Sequence, residues 1–241
     1  MGDRIYVGCS GWAYSSWKPD FYPAKLSSKK LLEYYATQLN SVEVNYTFRS
    51  LPSRAMVENW LRQTGEDFRF SFKAPQRITH IKRLRECGPE LKALATAIEP
   101  VAVARRLGLI LFQLPPNFRA DAERLAGFLD EARALRLRLA FEFRHDSWFD
   151  AAIYRLLDRH KAALCVAESD ELTTPDIATT AFACYRLRKS AYSAAALTAI
   201  RERLTKRAEV GDVFAYFRHE EEPTGALRAV EVLSALREPS W

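Results

Sequence analysis

The chain has 241 residues, 48% of them hydrophobic, enough to bury one large core without disulfide or metal staples. Its four cysteines show no Cys-x-x-Cys spacing, and no apolar run approaches the roughly 18 residues of a membrane span. Lysine and arginine number 36 against 30 acids, so the net charge is +6, which permits an anionic partner without requiring one.

Eight short apolar runs recur along the chain, at 5–10, 41–47, 68–73, 107–113, 138–144, 163–168, 181–188 and 212–218. Nearly every run ends in a polar or charged residue. Stretches with helical spacing lie between them, at 27–39, 53–63, 84–105, 122–135, 149–160, 193–208 and 224–236. Leu125, Phe128, Leu129 and Ala132 form the stripe a helix needs to pack on a sheet, and Ser53 after Pro52 is an N-cap signal. The segment 173–180 reads as a weak helix or only a turn. Strands alternating with helices predict a parallel sheet, and eight such units predict a closed (β/α)8 TIM-like barrel. The length agrees with the roughly 250 residues of that fold in one domain, so residues 1–241 are read as one domain.

Strand-to-helix joints are long, notably 11–26 and 74–83, whereas helix-to-strand joints at 64–67, 136–137 and 161–162 are short. Long loops are usually retained for function. Both features point to the face formed by the strand C-termini, where barrel enzymes work. The first strand begins almost at once, so the expectation is a reduced, cytoplasmic protein without a signal peptide or membrane contact.

Period-two alternation sorts the strand residues into two faces. Glu43 and Asn45 share one face against Val42 and Val44; Ser71 and Lys73 oppose Phe70 and Phe72; Glu142 and Arg144 oppose Phe141 and Phe143; Arg186 and Arg188 alternate with Tyr185 and Leu187. Large apolar residues belong against the helices, so the polar sets should point into the barrel. Glu43, Glu142 and Glu168 would then meet Lys73, Arg144 and Arg186, with Asn45 and Gln113 as neutral partners. Unpaired charges there cost several kcal/mol, so these groups must pair with one another or with a ligand. Glu43 and Glu142 are the proton-transfer candidates, with Lys73, Arg144 and Arg186 holding negative charge. Lys73, desolvated among apolar strands, is also a candidate for Schiff-base formation with a carbonyl substrate.

His80, His145 and His219 follow strand ends and, with Glu142, Glu168 or Asp170, could hold a divalent metal, although no metal-ligand spacing supports this and no cofactor is expected. Trp12, Tyr14, Trp17, Phe21 and Tyr22 crowd the first loop, and Trp148 follows the fifth strand. Trp12 and Trp148 could stack on a sugar or base at the mouth, or anchor loops onto the barrel. No nucleophile-elbow, P-loop or dinucleotide fingerprint is present.

Segments Gly8-Cys9-Ser10-Gly11-Trp12 with Tyr14 and Trp17, Val42-Glu43-Val44-Asn45 with Thr47-Phe48, Phe72-Lys73-Ala74-Pro75 with Ile78-Thr79-His80, Leu111-Phe112-Gln113-Leu114-Pro115-Pro116, and Phe141-Glu142-Phe143-Arg144-His145 with Ser147-Trp148 resemble the YecE-like (DUF72) family. The resemblance implies a TIM-like barrel, loosely related to sugar isomerases, without a settled activity. The C-terminal third departs from it: Arg186-Leu187-Arg188-Lys189 stands where the family tends to Arg-Leu-His-Gly, and Phe217-Arg218-His219-Glu220 where it tends to paired asparagines and an acid. The resulting expectation is an enzyme acting on a small anionic or sugar-like molecule by acid–base isomerisation or hydrolysis. His80, His145, Gln113, Asn45, Trp12, Trp148, Arg144 and Arg186 are its substrate-binding candidates. Two alternatives stand beside it: a nucleic-acid-associated protein with a basic mouth on phosphates, and a non-catalytic ligand-binding protein. Oligomeric state is left open.

Overall fold

The structure, a computed structural model, describes residues 4–170, 172–218 and 222–237. Among them, eight strands alternate with helices: β1 (Ile5–Cys9), α1 (Leu31–Gln38), β2 (Ser41–Val44), α2 (Arg54–Arg62), β3 (Arg69–Lys73), α3 (Gly88–Val103), β4 (Leu107–Gln113), α4 (Ala122–Ala132), β5 (Leu139–Glu142), α5 (Ala151–Arg159), β6 (Ala163–Glu168), β7 (Ala183–Leu187), α6 (Ala194–Ala208), β8 (Val213–Phe217) and α7 (Thr224–Arg237). Every ladder is parallel, running from β2 through β8 to β1, with β1 paired to β8. This is the expected (β/α)8 TIM-like barrel. The segment 173–180 forms no helix. It is pinned instead by Thr179, whose hydroxyl accepts from the Leu164 amide and donates to the Ala162 carbonyl.

Where expected and observed ends differ, backbone chemistry accounts for it. The expected helix from residue 84 begins only at Gly88, because Arg83, Leu84 and Glu86 take positive φ and cannot propagate a right-handed turn. Ser53, Asp121, Asp150 and Ser193 cap their helices by accepting amide hydrogen bonds. The last turn of the stretch 122–135 tightens to 3₁₀ geometry.

The two remaining barrel edges, β1 and β2, share a single bridge, Ser10 with Glu43. Side chains close the rest of the seam. The Asn40 amide accepts from the Val7 N–H and donates to the Ile5 carbonyl, both at 2.8 Å. Next along, the Tyr35 hydroxyl accepts from the Cys9 N–H at 2.7 Å and donates to the Ser41 carbonyl. Gly8 leaves room for this seam, since a Cβ there would fall 1.9 Å from the Ser41 carbonyl oxygen. Asn40→Ala orphans a strand donor and acceptor, so it should lower stability by about 2 kcal/mol. A urea midpoint moving by less than a quarter of that amount would contradict the role.

The interior fills in layers. Tyr6 stacks on Phe214 at the bottom, with Leu109 and Phe182 beside them. Above runs a hydroxyl chain: Ser41 Oγ lies 2.8 Å from Tyr216 Oη, which donates to Ser71 Oγ, which accepts from the Leu109 N–H. That last contact satisfies an amide displaced by the register shift between β3 and β4. Cys165 and Cys184 complete the layer as buried free thiols with sulfurs 3.2 Å apart. Cys9 and Cys87 are likewise buried. The apolar faces of the strands meet the helices outside, as alternation required. The top layer is charged.

Candidate functional site

Glu43, Glu142 and Arg186, from β2, β5 and β7, are each at most 1% exposed. Their side chains meet across the barrel. Arg186 grips Glu43 with two nitrogens, Nε to Oε2 at 3.0 Å and Nη2 to Oε1 at 2.7 Å, and reaches Glu142 Oε2 through Nη1 at 2.5 Å. Ser10 donates to Glu43 Oε1 at 2.8 Å, and Arg144 donates to Glu142 Oε1 from Nε at 2.8 Å. Planar guanidinium forks suit this bidentate work. Burial raises the Glu142 pKa, but Arg186, Arg144 and Arg188 outweigh it and hold the carboxyl at about 2. Burial disfavours the Arg186 charge too, yet Glu142 and Glu43 raise its pKa beyond the ordinary arginine value.

Arg186 and Arg144 therefore match the two carboxylates, and two cations remain. Lys73 forms no ion pair among the described residues; its ammonium lies 4.2 Å from the centroid of Phe48. Burial, then Arg186, lower its pKa to about 8 against the opposing pull of Glu43 and Glu142. Arg188 sits two residues beyond Arg186 on the same face of the β7 end. Its Nη1 is buried without a hydrogen-bond partner. Burial and Arg186 lower its pKa to about 10, so it stays charged at neutral pH.

The rim adds neutral groups. Asn45 donates from Nδ2 to the Ser10 carbonyl at 3.2 Å, while its Oδ1 is buried with no donor. Gln113 ends β4, in register with Glu142 and nearly buried. His80 lies on a π-helical turn, Arg77–Ile81, with Nδ1 2.8 Å from Thr79 Oγ1 and its ring edge-on to Phe48 at 5.1 Å. Burial, then Lys73, Arg144 and Arg83, lower its pKa, so the ring is neutral at pH 7.

The structure thus brings Glu43, Lys73, Glu142, Arg144 and Arg186 together at the mouth, with Asn45, Gln113 and His80 around them. Arg186, Glu168, Trp148 and His145 are engaged within the protein itself. Arg186 spends all three nitrogens on Glu43, Glu142 and Ser10; Arg188, on the same strand face, has a buried Nη1 without a partner. Glu168 does not join the interior, because alternation in β6 turns it outward to Arg203 at 2.5 Å. Trp148 is fully buried, stacks on Phe143 at 4.5 Å and donates from Nε1 to the Phe118 carbonyl, so its ring anchors a loop. His145 spends Nδ1 on capping the Asp146–Trp148 turn. Trp12 is half-buried, edge-on to Trp60 at 5.4 Å, and its carbonyl accepts from Tyr22. The Trp17, Phe21 and Tyr22 rings pack together beneath that loop. His219 lies outside the described residues. No three histidine, cysteine, aspartate or glutamate side chains converge to hold a metal among the described residues, and no helix there is long and apolar enough to cross a membrane.

Sequence reasoning passed over Ser10 and, although alternation put Arg188 inward, did not count it among the binding candidates. Ser10 carried a signal, since it ends the first strand run on the inward face. Arg188 carried one as well, as the inward neighbour of Arg186 at the point where the family pattern departs.

Known proteins agree with this architecture. The chain is 34% identical over 146 residues to the UPF0759 protein YecE of Escherichia coli K12, covering 60% of this chain and 50% of that protein. It is 30% identical over 156 residues to the UPF0759 protein YunF of Bacillus subtilis, covering 62% of this chain and 54% of that protein. The aligned part therefore spans about half the length of these relatives. Among solved structures, a DUF72 family protein of Thermotoga maritima (TM1631) superposes with a TM-score of 0.84 at 27% identity, over 97% of this chain and 99% of that one. One of Enterococcus faecalis (EF0366) gives 0.80 at 17% identity, over 98% and 97%, a likeness of fold alone. The family described as protein of unknown function DUF72 matches residues 6–240, and the chain belongs to it.

Proposed function

We propose that the barrel mouth binds a small anionic, hydroxyl-bearing molecule and transforms it by acid–base chemistry, an isomerisation or a hydrolysis. The observation that carries this reading is the buried Arg188 Nη1 without an acceptor, beside a Lys73 without an ion pair. Two uncompensated cations in a partly desolvated space are costly in the empty protein. A phosphate monoester, with a charge of about −1.5 to −2 and three acceptor oxygens, would offset both. Asn45 Oδ1, buried and lacking a donor, suits a ligand hydroxyl.

In this reading Glu43 and Glu142 form the floor with Arg186: Glu142, held at about 2, is a poor base near neutral pH, and the Glu43 oxygens are engaged by Arg186 and Ser10. Proton transfer falls to Lys73 and His80, whose charged forms are disfavoured by burial and by neighbouring cations. The position at the strand C-termini supports a catalytic use of the mouth.

Thermal unfolding tests it. Inorganic phosphate, sugar phosphates and sugar acids should each be screened; a bound ligand at 100 times its Kd adds about 2.7 kcal/mol. For a chain of this size that raises Tm by about 5–10 °C. No shift with any member of the set removes the reading.

A further inference from the structure

Lys73 is unusual for a charged residue at a barrel rim. Among the described residues it makes no ion pair, although two glutamates lie within electrostatic reach, because Arg186 and Arg144 already occupy both. An aromatic face, Phe48, takes the place of a carboxylate, and the same ring touches His80. A carboxylate would hold the ammonium protonated; a ring holds it weakly and leaves the nitrogen free to react. Arg188, on a strand across the mouth, supplies a donor for an anionic tail.

We infer that Lys73 is a nucleophile whose ε-amine forms an imine with a small aldehyde or ketone, oriented by an anionic group on Arg188. The inference rests on the anion site proposed above and names the substrate class of that site. In the step, the neutral amine attacks the carbonyl carbon and a C–N bond forms. The nitrogen gives up its protons and the carbonyl oxygen leaves as water, so no oxidant or reductant is consumed. In the proposed step His80, whose ring shares Phe48 with Lys73, accepts the proton from nitrogen and returns it to the departing hydroxyl. The amine lowered to about 8 is neutral in a far larger fraction at pH 7.5 than an ordinary lysine near 10.4.

The test uses the wild-type protein. It is incubated with dihydroxyacetone phosphate, pyruvate or uncharged glyceraldehyde in the presence of sodium cyanoborohydride, which reduces an imine to a stable secondary amine, and is then mapped by peptide mass spectrometry. Lys73 should be labelled by at least one anionic carbonyl compound about tenfold or more faster than exposed Lys29 and Lys92, with a rate that levels off above about pH 8. Glyceraldehyde should lose most of that advantage. Labelling of Lys73 no faster than of Lys29 overturns the inference, and equal rates with glyceraldehyde overturn the anionic substrate class. Phosphate-induced stabilisation measured on the same preparation separates the two readings. A shift in Tm without labelling leaves the anion site and removes the imine, whereas no shift removes the anion site itself. Lys73→Arg, which keeps the charge but not the nucleophile, should retain the phosphate shift and lose the label.

Discussion

Arg186→Met should destabilise the protein by about 3–5 kcal/mol, the range seen when one partner of a buried ion pair is removed. The volume change is small, so the loss is electrostatic. Glu43 would keep only the Ser10 hydroxyl at 2.8 Å, and Glu142 only the half-exposed Arg144. Two carboxylates then sit in the barrel with Arg144 as the one cation hydrogen-bonded to either, Lys73 and Arg188 acting on them only through space. The sign of the pH dependence makes the prediction specific. In the wild type, the Glu142 pKa is depressed, so its stabilising contribution is present above the unfolded value of about 4.3 and is lost as pH falls toward about 2. In the variant the strongest lowering influence on Glu142 is gone, so burial pushes that carboxyl up, above its unfolded value. That contribution is present below the unfolded pKa and is lost as pH rises. The gap between variant and wild type should therefore narrow from pH 7 to pH 4. Urea unfolding at the two values measures it, and a deficit under 1 kcal/mol or one constant with pH would sink the role assigned to Arg186.

The inward charges were legible because strand alternation is strict. Glu43 against Val42 and Val44, and Glu142 against Phe141 and Phe143, can be sorted into faces by parity alone. Glu168 was expected inside with them, but it alternates with Cys165 and Ala167 along β6 and so turns outward to Arg203. Height along the barrel axis was not legible. Arg186 and Arg188 share a face and differ by two residues, roughly 7 Å of rise. Which of them lies level with Glu43 and Glu142 depends on the stagger between β2, β5 and β7, and no local pattern encodes that stagger. The seam closed by Asn40 and Tyr35 gave no signal for the same reason, because its meaning depends on strands brought together across the closed sheet. Trp148 misled because a tryptophan just past a strand end looks the same whether it faces a ligand or folds back. It folds back onto Phe143, with rings 1° from parallel.

Arg188→Met should separate binding from stability. The ligand-free variant should be no less stable than the wild type, and somewhat more so, because a desolvated cation without an acceptor is removed and a flexible apolar side chain takes its space. Anion binding should weaken by about a hundredfold or more, since truncating one partner of a buried charge-assisted contact costs about 2–5 kcal/mol. Arg186→Met predicts a large loss of stability from a residue two positions away; Arg188→Met predicts almost none. The two measurements are Tm without ligand and the phosphate-induced shift in Tm, read on the same sample. If Arg188 instead completes the fold, the ligand-free variant will lose several kcal/mol and its residual phosphate shift will match the wild type. If it is a ligand donor held in waiting, stability stays level while the phosphate response disappears, and Lys73 is left with one fewer cation to lower its pKa. A protein that keeps a costly guanidinium above two carboxylates already matched by Arg186 and Arg144 retains it for the charge of something that arrives from solution.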